Sequence, residues 1–257
     1  MQPMSSMSPT PAETSPSRTA AVIPAAGRGV RLGPGTPKAL RALGGTPMLI
    51  HAVRAMAASR AVTLVVVVAP PDGAPEVKNL IADHSLPEHT DYLVVPGGAT
   101  RQESVRLGLD ALPEDVSVVL VHDAARPLVP VDTVDAVVEA VRDGAPAVVP
   151  ALPLSDTVKE VEPGAPGEPE PVLSTPVRAR LRAVQTPQGF DRDTLLRAHK
   201  AVAVDGEGAT DDAGMVERLG ASVVVVPGHE EAFKVTRPLD LVLAEAVLAR
   251  RRANDGF

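Results

Sequence analysis

The chain has 257 residues, of which 44% are hydrophobic, 22% charged and only 2% aromatic, and its formal net charge is −7. This length suits one large α/β domain or two small ones, and the acidic balance argues against broad binding to nucleic acid or anionic membranes. The absence of cysteine excludes disulfides, thiolate metal sites and a cysteine nucleophile. Because the longest aliphatic run, Val62 to Ala69, is far shorter than the roughly 20 residues that span a bilayer, we expect a cytoplasmic protein without a membrane partner.

The N-terminal segment differs in composition from the rest of the chain. Residues 1–17 hold four prolines, five serines and almost no aliphatic residues, which leaves too little apolar surface to offset the entropy lost on ordering. They also lack the apolar core of a signal peptide. We therefore expect a disordered tail over residues 1–18, a single domain over residues 19–252 and a short tail over residues 253–257.

Short aliphatic runs alternate with segments of helical period from Thr19 onward. The runs predict strands at residues 20–24, 62–69, 92–95, 117–121, 147–150 and 222–226, and the segments between and after them predict helices at residues 47–58, 76–83, 102–112, 131–143, 192–203, 211–219 and 238–252. Continuous Val, Ile and Leu without polar alternation is typical of strands that are covered on both faces. The alternation therefore predicts a doubly wound α/β domain with a mostly parallel sheet.

Residues 151–178 interrupt this alternation. They contain five prolines between Pro163 and Pro176, and two segments, residues 156–161 and 171–174, that can pair as a ribbon around a Pro/Gly-rich tip. We expect an extended β-arm of the kind that embraces a partner subunit. The alternative is a flexible surface loop.

The loop after the first strand combines glycine with positive charge. Residues 21–40 read AVIPAAGRGVRLGPGTPKAL, with four glycines between residues 27 and 35 and a basic side chain at Arg28, Arg31 and Lys38. Glycines leave backbone N–H groups open to an anion, and ligands bind at the carboxyl ends of strands in open α/β sheets. The dinucleotide pattern fails because Leu32 stands where it requires glycine, and the P-loop fails because the chain has no Gly-Lys pair. The sequence thus predicts a phosphate-binding loop that is neither a dinucleotide-binding motif nor a P-loop. The alternative is a flexible loop with incidental charges.

Two further predicted strands also end in polar motifs. GGATRQES, residues 97–104, leads into a helix, and its Ser104 either hydrogen-bonds a ligand or caps that helix. VHDAARP, residues 121–127, contains Asp123, whose carboxylate suits a Mg²⁺ ion bound to phosphates because hard cations prefer oxygen ligands. The same edge of the sheet is therefore expected to carry both motifs.

Three other polar residues receive structural interpretations. We interpret His122 as a packed histidine and assign it no chemistry. The acidic pair Asp211 and Asp212 precedes or opens a predicted helix, where negative charge is favourable. We interpret the pair as charge at a helix N-terminus.

Together these motifs resemble those of a known enzyme family. The stretch PAAGRGVRLGPGTPK is similar to the glycine-rich signature of nucleotidyltransferases that activate sugar and polyol phosphates. With GGATRQES, VHDAARP, LSDT, TPQGF, GATDDA and FKVTRPLDL following in that order, residues 20–248 resemble the 2-C-methyl-D-erythritol 4-phosphate cytidylyltransferases. One departure is Ala99, which occupies a position that is often acidic in relatives.

The resemblance implies a Rossmann-like nucleotidyltransferase fold, a homodimer that exchanges the 151–178 arm, and Mg²⁺ as cofactor. The implied reaction is attack of a polyol phosphate on the α-phosphate of CTP with release of pyrophosphate, in non-mevalonate isoprenoid biosynthesis. By this resemblance Arg31 and Lys38 would stabilise charge on the α-phosphate, and Arg178 and Lys234 would position the incoming phosphate. The CTP site would be lined by Ala25, Ala26, Gly27, Gly29, Gly98, Ser104 and Ala124. Asp123 would hold Mg²⁺ and contact the polyol. Arg126, Thr157, Thr186 and Thr210 would help Arg178 and Lys234 to position the incoming phosphate, with Thr157 and Arg178 reaching the neighbouring subunit's site.

Two alternatives are compatible with the same motifs. The acceptor could be ribitol 5-phosphate or another small polyol phosphate, which the motifs distinguish poorly. The chain could also be a nucleotide-binding regulator without turnover, although retention of Arg31, Lys38, Asp123, Arg178 and Lys234 argues against this.

Overall fold

The structure, a computed structural model, describes residues 18–27, 37–205 and 211–254. The elements in chain order are β1 (Arg18–Pro24), β2 (Ala42–Leu43), β3 (Thr46–Pro47), α1 (Met48–Ala57), β4 (Val62–Ala69), α2 (Ala74–Ala82), β5 (Asp91–Pro96), α3 (Arg101–Asp110), β6 (Val116–Val121), α4 (Val131–Arg142), β7 (Ala147–Pro153), β8 (Glu160–Val161), β9 (Val172–Ser174), β10 (Arg182–Val184), β11 (Gln188–Asp191), α5 (Arg192–Asp205), α6 (Asp212–Arg218), β12 (Val224–Pro227) and α7 (Pro238–Asn254). Every predicted strand and helix is present with its ends shifted by a few residues. Of the predicted tail over residues 1–18, residues 1–17 lie outside the described residues and Arg18 begins β1, and the predicted domain limits stay a prediction.

The central sheet has eight strands and is built around a parallel core. Its order is β10–β7–β11–β6–β1–β4–β5, with β12 also paired to β7. β1 runs parallel to β4 and β6, β4 runs parallel to β5, and β12 runs parallel to β7. This topology confirms the predicted α/β class with a mostly parallel sheet.

Two antiparallel strands, β10 and β11, are absent from the sequence prediction. β11 lies between β6 and β7 and pairs with both, and β10 pairs with the end of β7. Neither strand is an aliphatic run. Gly189 of β11 is required by close packing, because a Cβ there would lie 2.4 Å from a methyl group of Val137 on α4. Because Gly189 has no side chain, it contributes no hydrophobic signal from which a strand could be predicted.

The core lies on both faces of the sheet, which explains the unbroken aliphatic runs. Val65 and Val67 of β4 pack with α1, α2 and α4 on one face, and Val66 and Val68 pack with α3, α5 and α6 on the other. A third, smaller cluster buries α7 against β2 and the start of α1. Across the described ranges, no helix has both the length and the apolar character needed to cross a bilayer.

The arm is a short ribbon that extends from the end of β7. β8 and β9 pair antiparallel, with Glu160 opposite Ser174 and Val161 opposite Val172. The pairing confirms the predicted ribbon, although its strands are shorter than the predicted segments, and its contact with a partner subunit stays a prediction. Three of its apolar side chains, Val172, Leu173 and Val177, are 57%, 60% and 63% exposed, so in the single chain the arm packs against little.

Candidate active site

A cavity opens where β1, β5 and β6 end. Its wall is formed by three chain segments that follow these strands, by the short 3₁₀ helix Lys38–Leu40, and by the segment before α7. The lining residues are Pro24, Ala25, Ala26, Gly27, Lys38, Ala39, Gly98, Ala99, Thr100, Arg101, Ser104, Asp123, Ala124, Ala125 and Lys234. This is the carboxyl edge of the parallel strands, where ligands bind in open α/β sheets.

Backbone packing brings the first two loops together. The N–H of Ala25 donates to Val68 O at 2.8 Å, and the N–H of Gly97 donates to Ala69 O at 2.8 Å. A Cβ on Gly97 would lie 2.9 Å from both Ala26 Cβ and Ala69 O. Only glycine fits at position 97, where the two loops approach each other. The loops that follow β1 and β5 therefore share one wall of the cavity.

The loop before α3 is tied by its own side chains. Thr100 caps the helix by accepting from the N–H of Glu103 at 3.1 Å, and the Glu103 carboxylate accepts from the N–H of Ala99 at 2.7 Å. Ser104 donates to Thr100 O at 2.9 Å and accepts from the N–H of Gly98 at 3.2 Å. Ser104 therefore lines the cavity and fixes Gly98, while Thr100 is the capping residue. A contact from Ser104 to CTP stays a prediction.

Asp123 is the centre of charge in the cavity. Its side chain is 13% exposed, its Oδ2 lies 2.7 Å from Lys234 Nζ, and its Oδ1 lies 3.5 Å from Arg101 Nε. Burial acts to raise the pKa of Asp123, but the nearby charges of Arg101 and Lys234 outweigh it and hold that pKa well below its usual range. The cavity wall thus carries a permanent carboxylate between two cations.

Behind Asp123, the buried side chains of His122 and Thr186 fix the backbone of Asp123. Burial lowers the pKa of His122 to about 4, so the ring is neutral at pH 7. Its Nε2 lies 3.1 Å from Arg126 O, which assigns the ring proton to that nitrogen, and its Nδ1 accepts from the Thr186 hydroxyl at 3.0 Å. Thr186 in turn accepts from the N–H of Asp123 at 3.0 Å. The structure agrees with the interpretation of His122 as a packed histidine and makes Thr186 a support for Asp123.

Arg126 ties the segment that carries Lys234 to the Asp123 loop. Its guanidinium donates to Ala232 O at 2.6 Å and to Val184 O at 3.2 Å, and the N–H of Val235 donates to Ala125 O at 2.8 Å. Lys234 is thereby held beside Asp123 although 111 residues separate them. Arg126 does not line the cavity, and its predicted contact with the acceptor stays a prediction.

Arg101 was not among the predicted site residues, and Asp212, which lies in the first turn of α6 as interpreted, has a further role that was not predicted. Asp211 does cap α6, accepting from the N–H of Gly214 at 2.9 Å, as interpreted. Asp212, in contrast, is fully buried and bonded to Arg101 and His199. The only sequence signal was an acidic pair at a helix start, and that pattern does not distinguish a cap from a buried ion pair.

The predicted site residues fall into three groups. The cavity brings together Ala25, Ala26, Gly27, Lys38, Gly98, Ser104, Asp123, Ala124 and Lys234. Outside its wall lie Arg126, Thr157, Arg178 and Thr186, of which Thr157 and Arg178 are exposed on the arm side of the chain. Gly29, Arg31 and Thr210 lie outside the described residues.

Comparison with known proteins decides the family. A family model of 2-C-methyl-D-erythritol 4-phosphate cytidylyltransferase matches residues 19–250. The chain belongs to this family. Two cytidylyltransferases of that name, from Streptomyces coelicolor and Frankia casuarinae, are 78% and 58% identical over 244 and 233 residues. The alignments cover 95% and 91% of this chain and 89% and 82% of theirs.

Solved structures of the family share the fold. The cytidylyltransferase of Thermus thermophilus is 37% identical, with a TM-score of 0.68 and coverage of 88% of this chain and 97% of that one. The 4-diphosphocytidyl-2C-methyl-D-erythritol synthase of Anaerococcus prevotii is 26% identical, with a TM-score of 0.77 and coverage of 91% and 99%. Neither the ribitol phosphate alternative nor the regulator alternative is favoured by these matches.

Proposed function

We propose that the chain transfers the cytidylyl group of CTP to 2-C-methyl-D-erythritol 4-phosphate, forming 4-diphosphocytidyl-2-C-methyl-D-erythritol and pyrophosphate in non-mevalonate isoprenoid biosynthesis. The observation that carries this proposal is the cavity of family motifs at the strand ends, with Lys38, Asp123 and Lys234 among its lining residues. The relatives and solved structures named for the same reaction support the choice of acceptor. Because CTP is a nucleotide of the cell interior, we place the reaction in the cytoplasm.

The chemistry needs cations more than it needs a base. A phosphate monoester is largely dianionic at pH 7, since its second pKa is about 6, and it attacks without a general base. One of its oxygens bonds to the α-phosphorus of CTP as the bond to the pyrophosphate oxygen breaks. Two polyanions must therefore meet, and fixed positive charge holds them and stabilises the transition state. On this proposal Lys38, with Arg31, serves the α-phosphate, and Lys234, with Arg178, serves the acceptor phosphate.

Mg²⁺ is the cofactor that fits this site. Among residues 18–27, 37–205 and 211–254 no three His or acidic side chains form a metal cluster. Mg²⁺ on a nucleotide keeps waters and phosphates as ligands and takes only one or two carboxylates. Asp123, ionised and on the cavity wall, supplies one. When bound, Mg²⁺ would neutralise charge on the triphosphate.

We further propose a homodimer in which each arm completes the partner's site. Support comes from the exposed apolar residues Val172, Leu173 and Val177 on the arm, since exposed apolar patches are typical of protein interfaces. Arg178 follows directly and its guanidinium donates to Ser155 O at 2.6 Å. Arg178 is exposed and is not among the described residues that line the cavity of its own chain, which supports a role at the neighbouring subunit's site.

A pyrophosphate-release assay with different acceptors tests the reaction. Purified protein, CTP and Mg²⁺ are incubated with 2-C-methyl-D-erythritol 4-phosphate, ribitol 5-phosphate or no acceptor. We expect turnover with the first and little above background with the others. Activity only with ribitol 5-phosphate would reverse the choice of acceptor, and CTP binding without turnover on any acceptor would favour the regulator.

Asp123→Asn tests the metal assignment. The amide keeps the shape of the side chain but removes its negative charge, so we expect Mg²⁺ to bind the protein–CTP complex at least about tenfold more weakly, or ~1.4 kcal/mol. Calorimetric Mg²⁺ titration measures this without turnover. Asp132→Asn, an exposed change on α4, is the matched control. Equal Mg²⁺ affinity in both variants would remove Asp123 as the ligand.

A further inference from the structure

A buried carboxylate links the cavity wall to the interior. Asp212, at the start of α6, is fully buried, and both of its oxygens are bonded. Its Oδ2 accepts from Arg101 Nη1 at 2.8 Å, and its Oδ1 lies 3.0 Å from Nε2 of His199 on α5. His199 is 2% exposed, and its Nδ1 has no hydrogen-bond partner among the described residues. Asp212 is therefore the polar partner to which His199 is directed.

Stability alone explains this arrangement poorly. A buried ion pair recovers little more than the several kcal/mol that its desolvation costs per ion, and a packed apolar group of similar volume often serves as well. The helices concerned already pack through apolar residues, including Leu195, Ala198, Met215 and Val216. Asp212 also fixes the geometry of its charged partner, the Arg101 guanidinium.

The Arg101 guanidinium connects Asp212 to the reacting groups. One edge is held by Asp212, and its Nε lies 3.5 Å from Asp123 Oδ1, opposite the oxygen that contacts Lys234. The guanidinium is rigid and planar, so fixing one N–H direction fixes the others. Its Nη2 makes no hydrogen bond within the part of the chain that the structure describes. Arg101 lines the cavity and its side chain is 35% exposed, so a bound anion can reach it.

We propose that Asp212 and His199 are positioning residues that act through Arg101, and that Arg101 orients Asp123 and donates to a phosphate of CTP. The proposal rests on the proposed function, because it assigns Arg101 to the nucleotide of that reaction. It links residues on α3, α5 and α6 to the cavity: His199 holds Asp212, Asp212 holds Arg101, and Arg101 faces Asp123.

A double-mutant cycle separates this role from a structural one. We expect Asp212→Ala to lower kcat/KM for CTP by about 100-fold, the effect of a misplacement of about 1 Å, and Arg101→Lys to be similar, because an ammonium cannot span both carboxylates. Since Asp212 acts only through Arg101, the double variant should lose no more than Arg101→Lys alone. Asp212→Asn, which keeps the shape and one acceptor oxygen, should recover part of the loss.

Thermal unfolding and CTP binding complete the experiment. Glu217→Ala, an exposed change on α6, is the matched control and should leave kcat, KM and the melting temperature unchanged. Losses in the cycle that add, or an Asp212→Asn variant with wild-type kinetics, would overturn the proposal. If Asp212→Ala does not fold, the cycle is run with Asp212→Asn. Calorimetric CTP affinity is measured in parallel. A wild-type protein inactive on 2-C-methyl-D-erythritol 4-phosphate would refute the proposed reaction, and the effect of Asp212 on Arg101 would still be tested by the CTP affinities of the variants.

Discussion

Lys38→Ala should lower kcat by about 10²- to 10³-fold, the usual effect of removing one preorganised group that stabilises transition-state charge. Lys38 begins the 3₁₀ helix after the glycine-rich loop and lines the cavity with Gly27 and Ala39. Negative charge accumulates at the α-phosphate only as the acceptor attacks. CTP affinity should therefore fall far less than kcat.

Single-turnover kinetics with 2-C-methyl-D-erythritol 4-phosphate and calorimetric CTP binding measure the two quantities separately. Lys78→Ala, a change on the exposed side of α2, is the control for loss of one lysine charge. Lys38→Arg should recover part of the activity, because it keeps the charge while changing its geometry. Equal losses in kcat and in CTP affinity would show that Lys38 binds the ground state and has no special role at the transition state.

Arg178→Ala should lower kcat/KM for the acceptor by about 10- to 100-fold, as expected for a lost hydrogen bond to a charged group, with CTP affinity nearly unchanged. Arg178 is proposed to hold the incoming phosphate in the partner's cavity. Arg180→Ala is the matched control, because Arg180 is an exposed arginine in the same turn. Wild-type use of the acceptor by the Arg178→Ala variant would contradict the assignment.

Mixing the two variants shows which subunit supplies Arg178. If the arms exchange, a dimer of one Lys38→Ala chain and one Arg178→Ala chain has one site with both defects and one site with neither. Random mixing of equal amounts makes half of the dimers mixed, so about a quarter of wild-type activity should return. If Arg178 serves its own chain, both sites of the mixed dimer are defective and activity stays at the level of the parent variants.

Local patterns predicted most of the fold because burial on both faces is visible in the sequence. Val65 to Val68 of β4 all lie in the core, and such a run needs no tertiary information to be assigned as a strand. β11 was missed for the opposite reason, since Gly189 is selected for the close approach of α4. A glycine required by close packing cannot be recognised from the sequence until the position of the neighbouring helix is known.

The same difference between local patterns and long-range contacts applies to the residues of the site. Gly98, Ser104 and Asp123 follow strands, and strand ends share one edge of a parallel sheet, so their meeting was predictable. The contact between Arg101 and Asp212 joins residues 111 positions apart, and nothing in the spacing indicates it. The Thr186 hydroxyl bonds to His122 and to the backbone of Asp123, which nothing in the spacing indicates either, and its predicted contact with the acceptor stays a prediction.

The bonds around Thr100 have a consequence for the speed of nucleotide capture. The N–H groups of Gly98, Ala99 and Glu103 already have partners within the loop, so this wall of the cavity is set in the unliganded protein. The conformational entropy of this loop is lost when the protein folds, so CTP binding does not have to order the loop. For this part of the site, association with CTP is then governed by diffusion and by long-range attraction, without a slow loop rearrangement before the encounter becomes productive.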